Sequence, residues 1–257
     1  MKLHPLFFGH RLGAQVNVPP MGVISRHDVR IALKLALSAM VAVVFPRPLW
    51  LWASRHCARL HVAAEKTNYS AITETLNAQG IEISHTELAL DLHSRRYLEV
   101  IETVSEYLGY SGEKNVIVEG VANVTRALES GRGVILWHST FCGAATFEKR
   151  GYRVGGLSVT HLRSHSHPFS STAFGLRFLN PVMTRVENQY LEDLVVLAPG
   201  GGRGALQQLT QALKNNQVIS VTAIGSGKTP IEVPFLGGWL KLARGVPLLA
   251  FSTGAVV

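Results

Sequence analysis

The chain has 257 residues, 47% of them hydrophobic and 16% charged. Such a chain can bury a sizeable core, which excludes a disordered polymer. Its 24 glycines follow no triplet period and its two cysteines, Cys57 and Cys142, cannot staple a small scaffold. Collagen-like and disulfide-rich classes are therefore excluded, and two distant thiols fit a reducing compartment. Lys plus Arg number 25 against 17 Asp plus Glu, a net charge of +8. That surplus points to an anionic partner: a phospholipid surface, an acidic protein or an anionic co-substrate. No run of five Lys/Arg and no basic-aromatic interleaving occurs, so no nucleic-acid partner is expected.

Residues 1–26 are irregular, with Pro5, Pro19, Pro20 and Gly22 as breakers. They lack the charged start, apolar centre and small-residue cleavage site of a secretory signal. The most apolar stretch follows, Ile31 to Phe45, with Lys34 and Ser38 four apart on one helical face. A spanning helix needs about twenty apolar residues, so this one is short. Pro46 and Pro48 end it, and Trp50, Trp52, Arg55, His56 and Arg59 come next. An apolar helix followed by Trp and cations predicts a membrane-interface helix, with a buried core helix as the alternative. The expected division is 1–58, an irregular start plus the interface helix, and 59–257, a helical preface leading into an α/β domain.

From 59 to 129, SAITETLNAQG, SHTELALDLHSRRYLEVIETVSEYLGY and GVANVTRALESG carry apolar residues at helical spacing. Ser84 with Glu87 predicts a capping box, and Gly80, Gly109 and Gly131 mark helix ends. After Gly131, GVILW (133–137), YRVGGLSVT, NPVMTRV and VISVTAI read as strands. FCGAATFEKRG and ALQQLTQALKNN read as helices between them. The predicted fold is α/β, a mostly parallel central sheet flanked by helices, behind an N-terminal apolar helix and a helical preface. Functional residues in such sheets collect at the carboxyl ends of strands.

Several motifs compete for chemistry. Gly200 to Ala205 fits a loose dinucleotide fingerprint, but Pro199 interrupts the approach and no acid ends the next strand. Gly225 to Thr229 ends like a P-loop, yet Thr222 replaces its first Gly and Pro230 follows where a helix should start. His161, His165 and His167 lack a carboxylate or Cys nearby and read as a polar loop rather than a zinc site. Cys142 one turn from His138 would make a nucleophilic pair without a third orienting group. His138 is the most informative residue. It directly follows the apolar strand, with Ser139 and Thr140 after it. An imidazole at a strand's carboxyl end, facing a helix start, suits general-base work near neutral pH.

The order of these pieces resembles the lysophospholipid acyltransferase superfamily, nearest its bacterial lipid A lauroyl/myristoyl acyltransferase branch. Three stretches carry the likeness: VEGVANVTRALESGRGVILWHSTFCGAATF (118–147), ALQQLTQALKNNQVISVTAIGSG (205–227) and IEVPFLGGWLKLARGVPLLAFSTGAVV (231–257). The resemblance implies a lipid-biosynthetic transferase at the cytoplasmic face of a bacterial inner membrane. It would move a fatty acyl group from an acyl carrier protein or coenzyme A thioester to a lipid hydroxyl, needing no metal or redox cofactor. His138 would be the catalytic base, Ser139 and Thr140 would line the substrate, and Arg163 with Gly225, Ser226 and Lys228 would hold phosphates. The family places Asp or Glu five positions after its His, and here that position is Gly143. Glu148 is the next acid, but on a helix continuous from 138 it would lie about 15 Å away along the axis. The missing acid motivates an alternative, a non-catalytic relative that binds lipid or a protein partner. The sequence stops at Val257, where the family usually continues, and so reads as a fragment or an unusually short carboxyl end.

Overall fold

The computed structural model describes residues 22–64, 69–110, 116–139, 145–165, 167–197, 202–223, 230–235 and 237–257. Two helical stretches at an elbow come first. Helix α1 (Arg26–Val44) starts at Ser25, whose hydroxyl accepts from the Asp28 amide while Asp28 accepts in return. After a 3-10 turn at Arg47–Leu49, α2 (Trp50–Ala64) leads away. Then come α3 (Ser70–Ala78) and the long α4 (His85–Tyr107). The capping box expected at Ser84 and Glu87 is present, each side chain taking the other's backbone N–H. Both α1 and α2 pack on α4, around Val41, Ala42, Trp50, Ala53 and Ile101. Residue 58, where a division was expected, falls inside α2.

Helix α1 mixes polar and apolar residues on its buried face and is apolar on its outer face. Asp28 and Ser38 are fully buried, and Asp28 accepts hydrogen bonds from the hydroxyls of Ser170 and Thr172. Val29, Leu33, Ala36, Met40, Val43 and Val44 are exposed, an apolar stripe at helical spacing on the outer face. Among the described residues, no helix is long and apolar enough to cross a membrane.

The second half is α/β. After α5 (Val121–Leu128), β1 (Val134–His138), α6 (Ala145–Val154), β2 (Val159–Ser164), α7 (Asn180–Asn188), β3 (Asp193–Leu197), α8 (Arg203–Lys214) and β4 (Val218–Thr222) alternate. The four strands form a parallel sheet in the order β1-β4-β2-β3. Strand β4 thus enters between the two strands that α6 connects. An antiparallel hairpin, β5 (Pro230–Phe235) and β6 (Gly238–Ala243), and α9 (Gly245–Thr253) follow. Gly133 opens β1 where its Cα faces Leu213 of α8 closely, and a Cβ there would lie 2.6 Å from the Leu213 carbonyl oxygen.

One predicted strand is a helix. NPVMTRV lies in α7, because Pro181 suits a first helical turn and Met183, Val186, Glu187 and Tyr190 are buried at spacings of three and four. The expected strand in YRVGGLSVT begins only at Val159, since Tyr152 to Val154 complete α6. The hairpin strand β5 starts at Pro230, so no P-loop helix follows Lys228.

Candidate active site

In a strand successive side chains face opposite sides, so each strand contributes alternate residues to each face. One face of the sheet carries Ile135, Trp137, Ile219, Val221, Leu162 and Val195, and packs on Ala205, Leu209 and Leu213 of α8 and on Val246 and Leu249 of α9. The other face changes along its length. Its first row is Val134, Val218 and Val159, covered by Tyr152 and Leu128. Its second is Leu136, Ser220 and His161, and its third holds His138 beside Thr222, with Arg163 two residues beyond His161. Polarity therefore rises toward the carboxyl ends.

His138 closes β1, and Glu148 stands in the first turn of α6. The two meet, with His138 Nδ1 2.6 Å from Glu148 Oε1. This corrects the expectation that Glu148 sits too far away. That expectation assumed one helix from 138 onward, whereas α6 begins at Ala145 and brings its first acid back over the strand end. The carboxylate oxygen lies off the direction of the ring N–H, so the pair is in close electrostatic contact without an aligned hydrogen bond. Tyr152, one turn along, donates its hydroxyl to the same oxygen. Burial and the adjacent Glu148 carboxylate push the Tyr152 pKa up, which keeps that hydroxyl a donor.

The His138 ring is 17% exposed, through carbon atoms, because both nitrogens are enclosed. Its centroid is 6.0 Å from that of His161. His161 Nδ1 lies 2.6 Å from the Ser220 hydroxyl. Burial, followed by the nearby Lys149 ammonium, holds His161 well below the usual histidine range, so it is a neutral imidazole.

Beside this pair lies a charged hub on α7. Glu187 is wholly buried, with Lys149 Nζ at 3.3 Å, His167 Nε2 at 3.0 Å and Arg163 Nη1 at 3.9 Å. Although burial raises the pKa of Glu187, His167 and Lys149 outweigh that effect and hold its carboxyl at about 2. Arg163, expected to hold a substrate phosphate, instead donates to Asn188 Oδ1 at 3.1 Å and leans on Glu187. Its cation is largely engaged within the protein.

Helix α4 fixes the other side of α6. Glu99, Thr103 and Glu106, spaced four and three apart, meet the Ala145 amide, the Thr146 hydroxyl and the Arg150 guanidinium. The sequence reading missed this polar seam, although its spacing on α4 was a usable signal. It missed Tyr152 and Ser220 too, since an isolated Tyr or Ser in an apolar run carries no pattern.

Ser139 follows His138 directly and is half-buried. Thr140, Cys142, Gly143, Gly225, Ser226 and Lys228 lie outside the described residues, as do Gly200 and Gly201 of the Gly200–Ala205 motif, whose remaining residues cap and open α8. His161 and His167 belong to the buried network, and among the described residues no group of three His, Cys, Asp or Glu could hold a metal ion. No protein-family model matches the sequence, and no curated protein matches it significantly.

Proposed function

We propose that this chain is a membrane-associated acyltransferase that moves a fatty acyl group from an acyl carrier protein or coenzyme A thioester to a lipid hydroxyl. The reading stands on the His138–Glu148 contact at the carboxyl end of β1. A carboxylate beside Nδ1 stabilises the protonated form of the ring by its charge, so Nε2 can take a proton once the enclosed site opens to an acceptor hydroxyl. His138 Nε2 removes the proton from the acceptor hydroxyl as its oxygen attacks the thioester carbonyl. The carbon–sulfur bond then breaks, and the thiolate leaves with the proton that His138 returns. Atoms balance without a metal or redox partner. The exposed apolar stripe of α1 supports docking at a bilayer, and the net charge of +8 suits both anionic lipid and an acidic carrier.

The second reading is a non-catalytic relative that binds lipid or a protein partner. Enclosure of both His138 nitrogens favours it. The acid beside Nδ1 favours the enzyme, because a binding protein has no need to orient this ring.

Purified protein given an acyl thioester and a lipid acceptor, with products read by lipid mass spectrometry, separates the two. His138→Ala is expected to lower turnover about 10²–10⁴-fold, the usual worth of a positioned base, and Glu148→Gln to lower it by a smaller factor. Unchanged turnover in His138→Ala, or none in the parent protein with any acyl thioester, would overturn the enzyme reading.

A further inference from the structure

The elbow between α1 and α2 borders a half-open cavity of about 210 Å³, which Arg150 of α6 also lines. It is lined by Ala42, Phe45, Arg47, Trp50, Glu102 and Arg150, among others. Its wall is polar and incompletely satisfied. Arg150 is 1% exposed and pairs with Glu106 through Nη2, yet its Nε has no hydrogen-bond partner. Glu102 Oε2 is enclosed and has none either. Buried polar atoms almost always find partners, so a donor and an acceptor left over around one cavity point to a ligand carrying both functions.

The rim supplies charge and apolar surface together. Arg47 is exposed, with its guanidinium 5.9 Å from the centroid of the Trp50 ring. The Trp50 indole N–H is already committed to the Phe45 carbonyl at 2.9 Å, so the ring acts as a wall. Elsewhere on the elbow Met40, Val43, Val44, Leu49, Leu51 and Trp52 are all between 44% and 66% exposed. Arg47 beside the Phe45 and Trp50 walls suits a phosphate next to an acyl chain, while Arg150 is shared with Glu106 and Glu102 is an acid of the lining.

We propose that this cavity seats the headgroup of an anionic, hydroxylated phospholipid such as phosphatidylglycerol, within a bilayer that receives the α1 stripe. Arg47 and Arg150 face the phosphodiester and Glu102 accepts from a headgroup hydroxyl. The site rests on the membrane-interface part of the proposed function but not on its chemistry.

The test is co-sedimentation of the full chain with phosphatidylcholine vesicles, with and without phosphatidylglycerol. Phosphatidylglycerol should tighten binding. Arg47→Ala should weaken that gain about fivefold, the worth of one cation held at a lipid surface, and leave binding to pure phosphatidylcholine unchanged. Ala42→Leu, which fills the cavity without altering charge, should reduce the gain as well. Arg55→Ala removes an exposed cation of α2 outside the cavity and should matter less. Equal losses for Arg47→Ala and Arg55→Ala, with Ala42→Leu silent, would mean diffuse attraction and overturn the headgroup site alone. No sedimentation with either vesicle, or a stable dimer that ignores both, would overturn the interface reading and the site together.

Discussion

The two faces of the parallel sheet come from the same strands, residue by alternate residue, and they do different work. The face under α8 and α9 is mainly apolar, from Ile135 and Ile219 to Trp137 and Val221. The face under α6 begins equally apolar with Val134, Val218 and Val159, then turns polar at Ser220, His161 and His138. The difference teaches where stability and chemistry separate. A mainly apolar layer can hold the strands rigid by packing, with few groups in it that need a partner. The opposite layer can then carry imidazoles and a carboxylate at the strand ends, provided that each finds a counterpart.

The sharpest way to break that division is through the charged hub. Glu187→Gln leaves Lys149, 3% exposed, without its buried counter-charge, and is expected to cost about 3–5 kcal/mol in urea unfolding near neutral pH. The same variant should flatten the acid limb. Glu187 has its folded pKa at about 2, below the ordinary 4.5, so its contribution is complete above about 4.5 and is lost as pH falls toward 2. His161 adds to the slope at higher pH. It stays neutral when folded and protonates when unfolded, so stability falls as pH drops below its ordinary 6.5. Parent protein that is equally stable at about pH 3 and pH 6 would contradict the assignment of these groups.

Ile219 and Ser220 are adjacent, wholly buried and on opposite faces. Ile219→Ala empties volume in the apolar layer and should cost about 2–5 kcal/mol, while the proposed acyl transfer per folded molecule stays unchanged. Ser220→Ala removes almost no volume but deprives His161 Nδ1 of its partner, so about 1–3 kcal/mol is expected. Measured together, the pair sharpens the comparison: one penalty comes from packing and the other from an unanswered hydrogen bond. Equal activity losses in both variants would mean that the two faces are not functionally separate.

Much of the architecture was legible in the sequence. Helical spacing and the Ser84–Glu87 box announced α4, and short apolar runs after Gly131 announced β1 and β4. Those signals are local, since each arises within a few residues of the chain. NPVMTRV misled because its apolar residues fit alternation over a short window, and only the burial of Glu187 and Tyr190 beyond Val186 shows the helical period. The short apolar helix was visible, but its orientation was not. Nothing local says that Asp28 turns inward to Ser170 and Thr172 while Leu33 and Met40 face out.

By itself the sequence determined that His138 ends a buried strand, because a run of apolar residues followed by a polar one marks where the sheet meets solvent or a site. It could not determine what orients that imidazole. Glu148 reaches it only because α6 packs over the end of β1, and Ser220 joins His161 only because β4 inserts between β1 and β2. Both meetings depend on strand order and helix packing. These are set by which faces can be buried together across the whole domain, and no pattern of neighbouring residues encodes them.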